Sequence, residues 1–427
     1  MSSVSRRSIP RSLTLDNSYR RSTCRLCEGK RLSNVLSLRA TPLANAFVNQ
    51  EALGSEQPVY PLDVFFCEEC GHLQLLDVVD PRVLYQHYVY VSGTSPVFVR
   101  HFEQYARNVV ERFTPEKGSL VVEIGSNDGT LLRCFKEYHL RVLGVDPAEE
   151  ITRGTIESGI DAISEFFTPQ LARGIRTKHG PASVIAANNV IAHIDDLGSV
   201  MVAVRDLLAP HGVFVFEVSY LGDVFEKTLF DTIYHEHLDY HSVIPLEAFF
   251  KRWGLELIEV MRVDTHGGSL RGVVQLAGGP RPVDASVAIA MERERELGLD
   301  KGDTFRAFAG HIEGIRDELM ALLGNLRRTG KRIAGFGAPA KMTTLMYHLE
   351  LEPDVIDFIV DDSPLKQGLY TPGMHIPVVP TSELYVRRPD YVVILAWNFA
   401  PTIVQKHAAF RDAGGRFIIP LPKVEIV

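Results

Sequence analysis

The chain has 427 residues and a formal net charge of −8. A single core rarely grows that large, so two or three domains are expected. The acidic balance gives no basic field for a nucleic-acid partner, and no apolar run approaches the roughly 20 residues of a membrane helix.

Residues 1–20 are rich in Ser and Arg. Ser5-Arg6-Arg7 has the look of a twin-arginine export signal, but the apolar segment that should follow is replaced by polar residues. A disordered tail and a cytoplasmic location are expected. In that compartment, paired cysteines are metal ligands more often than disulfides. Four of the five cysteines form two knuckles, Cys24-Arg-Leu-Cys27 and Cys67-Glu-Glu-Cys70. Two C-x-x-C pairs supply four thiolates for one tetrahedral zinc. Four cysteines leave no open coordination position, so the zinc is structural, and it compensates for a small core. The competing reading is a redox pair or unrelated thiols. Cys134 stands alone, as a core or near-surface thiol. After the second knuckle, Tyr88 and Tyr90 share a face if the segment is extended; from spacing alone, packing explains them better than chemistry does.

An α/β unit begins near Lys117. Leu120–Ile124 is an apolar, β-branched strand running into Gly125-Ser-Asn127-Asp128-Gly129 and then a helix. Gly125 and Gly129 let the backbone turn tightly and approach a ligand. The next strand, Arg141–Asp146, ends in an acid placed to accept hydrogen bonds from ribose hydroxyls. The turn lacks G-x-G-x-x-G spacing. E-x-G-x-N-x-G with a distant Asp suits S-adenosylmethionine, with Glu123, Gly125, Asn127, Asp128, Gly129 and Asp146 as its binding set. An ordinary strand–turn–helix is the alternative. Strands are also expected at 159–163, 183–190 and 213–218, with a helix over 196–208. Asn188 and Asn189 fall at a strand's carboxyl end, where ligands bind in open sheets. Strand and helix signals alternate at βαβ spacing, which predicts a mostly parallel sheet.

Residues 230–242, with Tyr234-His235-Glu236-His237 at the centre and His241 close behind, are the densest chemistry in the chain. H-x-H can bind metal, but H-E-x-x-H is absent. Tyr, Glu and several His can instead set up acid/base work near neutral pH. Downstream, Thr265-His266-Gly267-Gly268-Ser269-Leu270-Arg271 is a glycine turn carrying a cation, suited to an anionic ligand or to a plain surface turn. A long charged helical region spans 291–326, with Gly298, Gly302 and Gly310 expected to interrupt it.

A second nucleotide-type unit begins at Lys331. Gly335-Phe-Gly337-Ala-Pro-Ala340-Lys341 follows a short strand, and an acid lies about 20 residues on, at the end of a strand over 355–362. Alone this suggests NAD. Beside the first turn it fits the phosphates of another nucleotide ligand. Final strands are expected at 391–398 and 416–420.

The whole set resembles the nucleotide-sugar C-methyltransferases of antibiotic deoxysugar pathways, whose best-known members are 3-C-methyltransferases. The likeness runs from Cys24 to the end. It rests on the four cysteines, Pro42-Leu-Ala-Asn45, V-E-I-G-S-N-D-G, Tyr234-His-Glu-His237, G-F-G-A-P-A-K, Asp361-Asp-Ser-Pro-Leu-Lys366-Gln-Gly368 and Leu395-Ala-Trp-Asn398. It implies an α/β protein with a small zinc-binding domain (21–80), a Rossmann-like class I S-adenosylmethionine domain (81–245) and a Rossmann-like C-terminal domain holding a nucleotide sugar (246–427). It places His193, Tyr234, Glu236 and His237 at the reaction centre with Tyr90, or else Tyr88. The residues expected to hold substrate are His266, Arg271, Gly335, Gly337, Lys341 and Lys366. A ketone at C4 acidifies its neighbouring C–H bonds, so a base can form an enolate for methylation. His237 is the leading base and Glu236 its alternative. C3 of a dTDP-linked 4-keto-deoxy sugar is the expected position, with C5 second and an NAD-dependent nucleotide-sugar oxidoreductase a more distant alternative. A zinc-stabilised binding module without catalysis would leave the Tyr/His/Glu cluster unexplained. A monomer or homodimer is expected.

Overall fold

Alternation along the N-terminal strands sets the first module. β1 (Ser18–Arg20), β2 (Leu32–Thr41), β3 (Tyr60–Cys67), β4 (Leu73–Leu75) and β5 (Asp77–Val79) lie ahead of the first helix. The computed structural model that shows them describes residues 17–85, 93, 96–265 and 267–427. In β3, Tyr60, Leu62, Val64 and Phe66 all point inward at period two. β2, β3 and β4 form an antiparallel meander, and β1 pairs with β5. Two helices lead out of the module, α1 (Pro81–Tyr85) and α2 (Pro96–Phe113). α2 buries Phe102, Tyr105, Ala106 and Val109, the i, i+3, i+4, i+7 stripe of a helix laid on a sheet.

The central sheet grows from β6 (Leu120–Ile124), α3 (Thr130–Glu137), β7 (Arg141–Val145), α4 (Glu149–Glu157), β8 (Ala162–Ile163), α5 (Pro169–His179), β9 (Ala182–Asn188), α6 (Leu197–Leu207) and β10 (Leu208–Ser219). These strands are parallel and nearly all apolar, because helices cover both faces. After α7 (Leu221–Glu226), a two-residue strand β11 (Asp239–Tyr240) leaves this domain and pairs with β4 of the first module. α8 (Val243–Arg252) follows, and then a hairpin of β12 (Leu255–Val263) and β13 (Ser269–Leu276) returns antiparallel to β10. The order is β12-β13-β10-β9-β6-β7-β8. Chain direction across the sheet reverses between β6 and β9, so a ligand crevice belongs at their carboxyl ends. Both strands of the hairpin lie past residue 245. The sheet therefore continues to Leu276, beyond the boundary drawn from the sequence.

α9 (Ala285–Glu296) packs on β12, and α10 (Gly302–Arg328) packs on β2. The break between them falls at 297–301, as Gly298 suggested. Gly310 does not interrupt α10; a Cβ there would meet open space. The C-terminal unit contains β14 (Ile333–Phe336), α11 (Met342–His348), β15 (Ile359–Asp361), β16 (Val378–Pro380), α12 (Glu383–Arg387), β17 (Tyr391–Ile394), α13 (Ala400–Lys406), α14 (Ala408–Asp412), β18 (Arg416–Ile419) and β19 (Glu425–Ile426). Its order is β16-β15-β14-β17-β18-β19, parallel except for the last strand. β15 and β17 are shorter than their apolar runs, because Val355-Ile356 and Leu395-Ala396 turn off the sheet. One core joins the N-terminal meander, α10 and the C-terminal sheet, whereas Cys24, Leu26 and Cys67 pack into the core of the central domain.

Candidate active site

The two cysteine knuckles close on each other. Their four sulfurs lie within 4.8 Å of one another, with Cys24–Cys70 at 3.6 Å and Cys27–Cys67 at 3.5 Å. A tetrahedron with metal–sulfur bonds of about 2.3 Å has sulfur–sulfur edges of about 3.8 Å, so the set fits zinc. With four protein ligands the zinc is structural. Local geometry shapes the cage: Gly29 N donates to Cys27 Sγ, and Glu69 accepts from the Lys30 and Arg31 amides. Cys134 stands apart on α3, and burial pushes its thiol up to about 11.

At the central crevice, Gly125 and Gly129 have φ of 68° and 73°, and Asn127 between them has 47°. This left-handed run is open to Gly and tolerated by Asn. A Cβ on Gly125 would come within 2.4 Å of Val190. Asp146, at the end of β7, does not simply face outward to a ribose. Its two oxygens accept from Asn127 N and Ala148 N, each at 2.9 Å. It therefore shapes the turn as well as lining it, and burial holds its carboxyl above the usual range. Asp128 accepts from Gly93 N at 3.0 Å and Thr130 Oγ1 at 2.7 Å. Asn189, at φ 55°, donates its amide to Glu217 O. Glu123 Oε2 and both polar side-chain atoms of Asn188 are buried without a hydrogen bond of good geometry, although Asn188 lies close enough to Glu123 to ease its carboxyl downward. Burial, then the nearby Asp128 and Asp146, pushes Glu123 far above the carboxylate range. Orphaned polar atoms at the two central strand ends are what a polar cofactor would satisfy, so the residues fit S-adenosylmethionine.

Arg271 is not on the glycine turn that precedes it. It lies inside β13, nearly buried, with Nε 2.6 Å from Glu217 Oε1 and its guanidinium 4.3 Å above the Tyr105 ring. His101 on α2 holds the other Glu217 oxygen at 2.7 Å. Burial alone would raise Glu217, but His101 and Arg271 outweigh it and hold the carboxyl low. The cation expected to meet substrate is thus engaged inside the central domain. Tyr88, Tyr90 and His266 lie outside the described residues.

The Tyr234–His237 segment forms a tight turn, with His237 N donating to Tyr234 O at 2.8 Å. The His237 ring lies 4.1 Å from Tyr234 and 5.0 Å from His193, between centroids. Tyr85, not singled out from the sequence, stacks on His193 at 5.9 Å. His237 Nδ1 is 2.7 Å from Thr232 O. A carbonyl only accepts, so Nδ1 carries the proton and Nε2 holds the neutral ring's lone pair. Glu236 points to the N-terminal module, where Asn45 Nδ2 donates to it at 3.2 Å. Burial pushes its carboxyl up to about 7, against the Asn45 bond. His235 and His241 face inward, and burial drops both to about 4. Among these histidines, His237 is the one whose ring meets both Tyr234 and His193.

In the C-terminal half, Gly337 has φ of 90°, and a Cβ there would lie 2.5 Å from Ala396 Cβ. Gly335 sits within β14, where a Cβ would strike Ile359 and Leu395 at 2.9 Å. This is a packing constraint; the turn itself begins two residues later, at Gly337. Asp361 repeats the device of Asp146: it accepts from Ala338 N at 2.6 Å and from Ser363 N at 2.7 Å. Lys341 lies 3.1 Å from Asp231 Oδ2, contacts Asn398 Oδ1 and sits 4.7 Å above Trp397. Trp397 Nε1 also donates to Asp231 at 2.6 Å. Asp231 is fully buried, so Lys341 first neutralises it. Lys366 donates to Ala338 O at 2.6 Å and lies 5.4 Å above Phe47; burial lowers its ammonium. Asn45 and Glu217 carried no signal of their own in the sequence, and Asp231 lay in the 230–242 stretch without an assigned role. Asn45 stood in the Pro42–Asn45 motif without a role.

Three family descriptions match in order: a zinc binding domain at 24–85, a methyltransferase domain at 98–260 and a C-methyltransferase C-terminal domain at 264–422. The C-methyltransferase NovU of Streptomyces niveus is 36% identical over 404 residues, covering 95% of this chain and 96% of NovU. The solved complex of the Haloferax volcanii Trm112 activator with a methyltransferase is 16% identical, covers 42% of this chain and 91% of that one, and has a TM-score of 0.34. CcbJ methyltransferase of Streptomyces caelestis is 16% identical over 41% of this chain and 89% of its own, with a TM-score of 0.33. At NovU's identity and coverage, with the zinc, methyltransferase and C-terminal domains all matched in order, the chain belongs to the S-adenosylmethionine-dependent C-methyltransferases.

Proposed function

We propose that the chain methylates carbon next to the C4 ketone of a 4-keto-deoxy nucleotide sugar, dTDP-linked and at C3. The observation that carries this reading is the His237 ring, set between Tyr234 of its own turn and His193 of a separate segment, with its Nδ1 on Thr232 O. Methylating carbon requires a base, and Nε2 of a neutral imidazole is one at neutral pH. His237 Nε2 takes the proton of the carbon beside the ketone, and the C–H electron pair moves into the enolate. Tyr234 and His193 stabilise the developing oxyanion or orient the sugar, with Tyr90 as a further donor. S-adenosylmethionine, when bound, would supply an electrophilic methyl group to the enolate carbon, the electron pair of the broken carbon–sulfur bond staying on sulfur. Glu123, Gly125, Asn127, Asp128, Gly129, Asp146, Asn188 and Asn189 hold that cofactor. Gly337, Lys366 and the loop after β17 offer the nucleotide a crevice at the sheet's switch point. The proton on His237 returns to water after methyl transfer.

The test follows the acidic proton. His237→Asn should bind S-adenosylhomocysteine normally yet lose both methyl transfer and exchange of the sugar proton with deuterated water, measured against a no-enzyme control. Wild-type exchange in His237→Asn, with loss in Glu236→Gln, moves the base to Glu236. A panel of 4-keto nucleotide sugars, read by mass spectrometry and NMR, distinguishes C3 from C5. Tight binding of NAD without binding of S-adenosylhomocysteine would overturn the reading.

A further inference from the structure

We propose that Arg25 is a positioning residue for methyl transfer, carrying the geometry of the zinc knuckle into the two segments that hold His193 and His237. The inference rests on the reading of those histidines as the reaction centre. Arg25 stands between the ligands Cys24 and Cys27, and its side chain is fully buried. Its Nε lies 2.9 Å from Asp195 Oδ1, two residues past His193. Its Nη1 donates to Leu75 O, to Gln74 Oε1 at 3.3 Å and to Leu238 O at 3.4 Å, and Leu238 is the residue after His237. Asp239 Oδ2 is 3.9 Å from Nε. One guanidinium therefore touches both catalytic segments from a loop that a metal site fixes at each end.

The neighbouring bonds tie the same two segments together. Leu238 N donates to Ala192 O at 2.7 Å, directly bridging them. Tyr240 OH donates to His237 O at 3.1 Å, and β11 is held in register by Asp239↔Gln74 and Tyr240↔Leu73. Gln74 accepts from Arg25 N at 3.1 Å, so the arginine's backbone and side chain share one anchor. Asp239 Oδ1 is 2.6 Å from His72 Nε2, and His72 stacks on His241. Arg21 adds a bond to Asp195 Oδ1 at 3.1 Å. A buried cation is an expensive way to seal an interface that apolar side chains could seal as well. What the guanidinium adds is a planar fork with fixed donor directions, which sets the relative position of its acceptors. The His193 and His237 rings stand two residues and one residue away from those acceptors, and a displacement of about 1 Å at a reaction centre can cost on the order of 100-fold in rate.

The test is Arg25→Met in the full zinc-loaded chain. Zinc content by elemental analysis should stay at one per chain, and S-adenosylhomocysteine affinity by calorimetry should stay near wild type. Amide hydrogen exchange at His193, His237 and Leu238 should accelerate at least about tenfold, because those bonds now open locally. With the sugar substrate, kcat and sugar-proton exchange should fall together by about 10- to 100-fold while KM moves little, the mark of lost alignment rather than lost binding. Wild-type amide protection, or wild-type kcat and proton exchange, in zinc-loaded Arg25→Met overturns the proposal. If that variant loses its zinc or does not fold, Arg25→Lys replaces it. One ammonium cannot serve the separate Nε and Nη1 partners, so the same changes are expected at roughly tenfold. Wild-type protection and rates in Arg25→Lys overturn the proposal equally. Failure of the wild-type chain to turn over any 4-keto nucleotide sugar counts against the substrate reading, while the amide-exchange arm still decides the role of Arg25.

Discussion

Adjacent residues in the Tyr234–His237 turn face opposite surroundings. His237 turns toward Tyr234 and His193, while Glu236 turns toward Asn45. The Glu236 carboxyl, raised by burial to about 7, gives a measurable signature. Its folded pKa lies above its unfolded value, so the protonated side chain favours the fold at low pH. That contribution is complete below the unfolded value and is lost as pH rises through about 7. Glu236→Gln stays neutral and keeps the Asn45 contact. It should match wild type in stability near pH 4 and exceed it at pH 8 by up to about 3 kcal/mol, at about 1.4 kcal/mol per pKa unit. Denaturant unfolding of both chains at the two pH values checks this. Equal stability at pH 8 would mean that the carboxyl is not held neutral by burial.

Turns and buried pairs carry the consequences at the level of elements. The left-handed turn after β6 leaves no room at Gly125, where φ is 68° and an added Cβ would stand 2.4 Å from Val190. Gly125→Ala should lose about 2 kcal/mol of stability from backbone strain and crowding, and at least tenfold in S-adenosylhomocysteine affinity. Calorimetry and thermal unfolding read both effects. The bond network of His101, Glu217 and Arg271 joins α2, β10 and β13. Arg271→Met leaves Glu217 buried with one partner and should destabilise the chain by about 3–5 kcal/mol. If Arg271 served only a ligand, unfolding in the absence of ligand would be unchanged. Asp146 and Asp361 show that the two α/β halves use the same local solution, a strand-end carboxylate holding one amide of the neighbouring glycine turn and one two residues along its own chain.

Across the whole molecule, the zinc module is wedged between the other two units. Its knuckles enter the central core, its meander enters the C-terminal core, and β11 crosses over to extend the meander. A structural metal placed there affects more than its own domain. Cys67→Ser should release zinc, lower the unfolding temperature and reduce turnover, although zinc supplies no step of the reaction. Added zinc should not alter the rate of the zinc-loaded wild type. Elemental analysis beside activity measurements tests this, and a zinc-free variant with full stability would refute the structural role.

The zinc cage and the glycine turns were legible in the sequence because short-range spacing sets them. C-x-x-C holds two sulfurs on one loop, and a glycine turn after a β-branched strand needs only its own φ angles. The alternation of apolar strands and helices likewise announced the parallel sheets. Chain-distant contacts decided the rest. The β12–β13 hairpin belongs to the central sheet through hydrogen bonds to β10, which no local pattern records. Arg271 looked like a ligand-facing cation until the fold placed Glu217 beside it. The Tyr234–His237 sequence showed which titratable groups are clustered, but not where each one points. Only tertiary packing turned Glu236 toward Asn45 and His237 toward His193, because side-chain direction in a tight turn is fixed by what surrounds it.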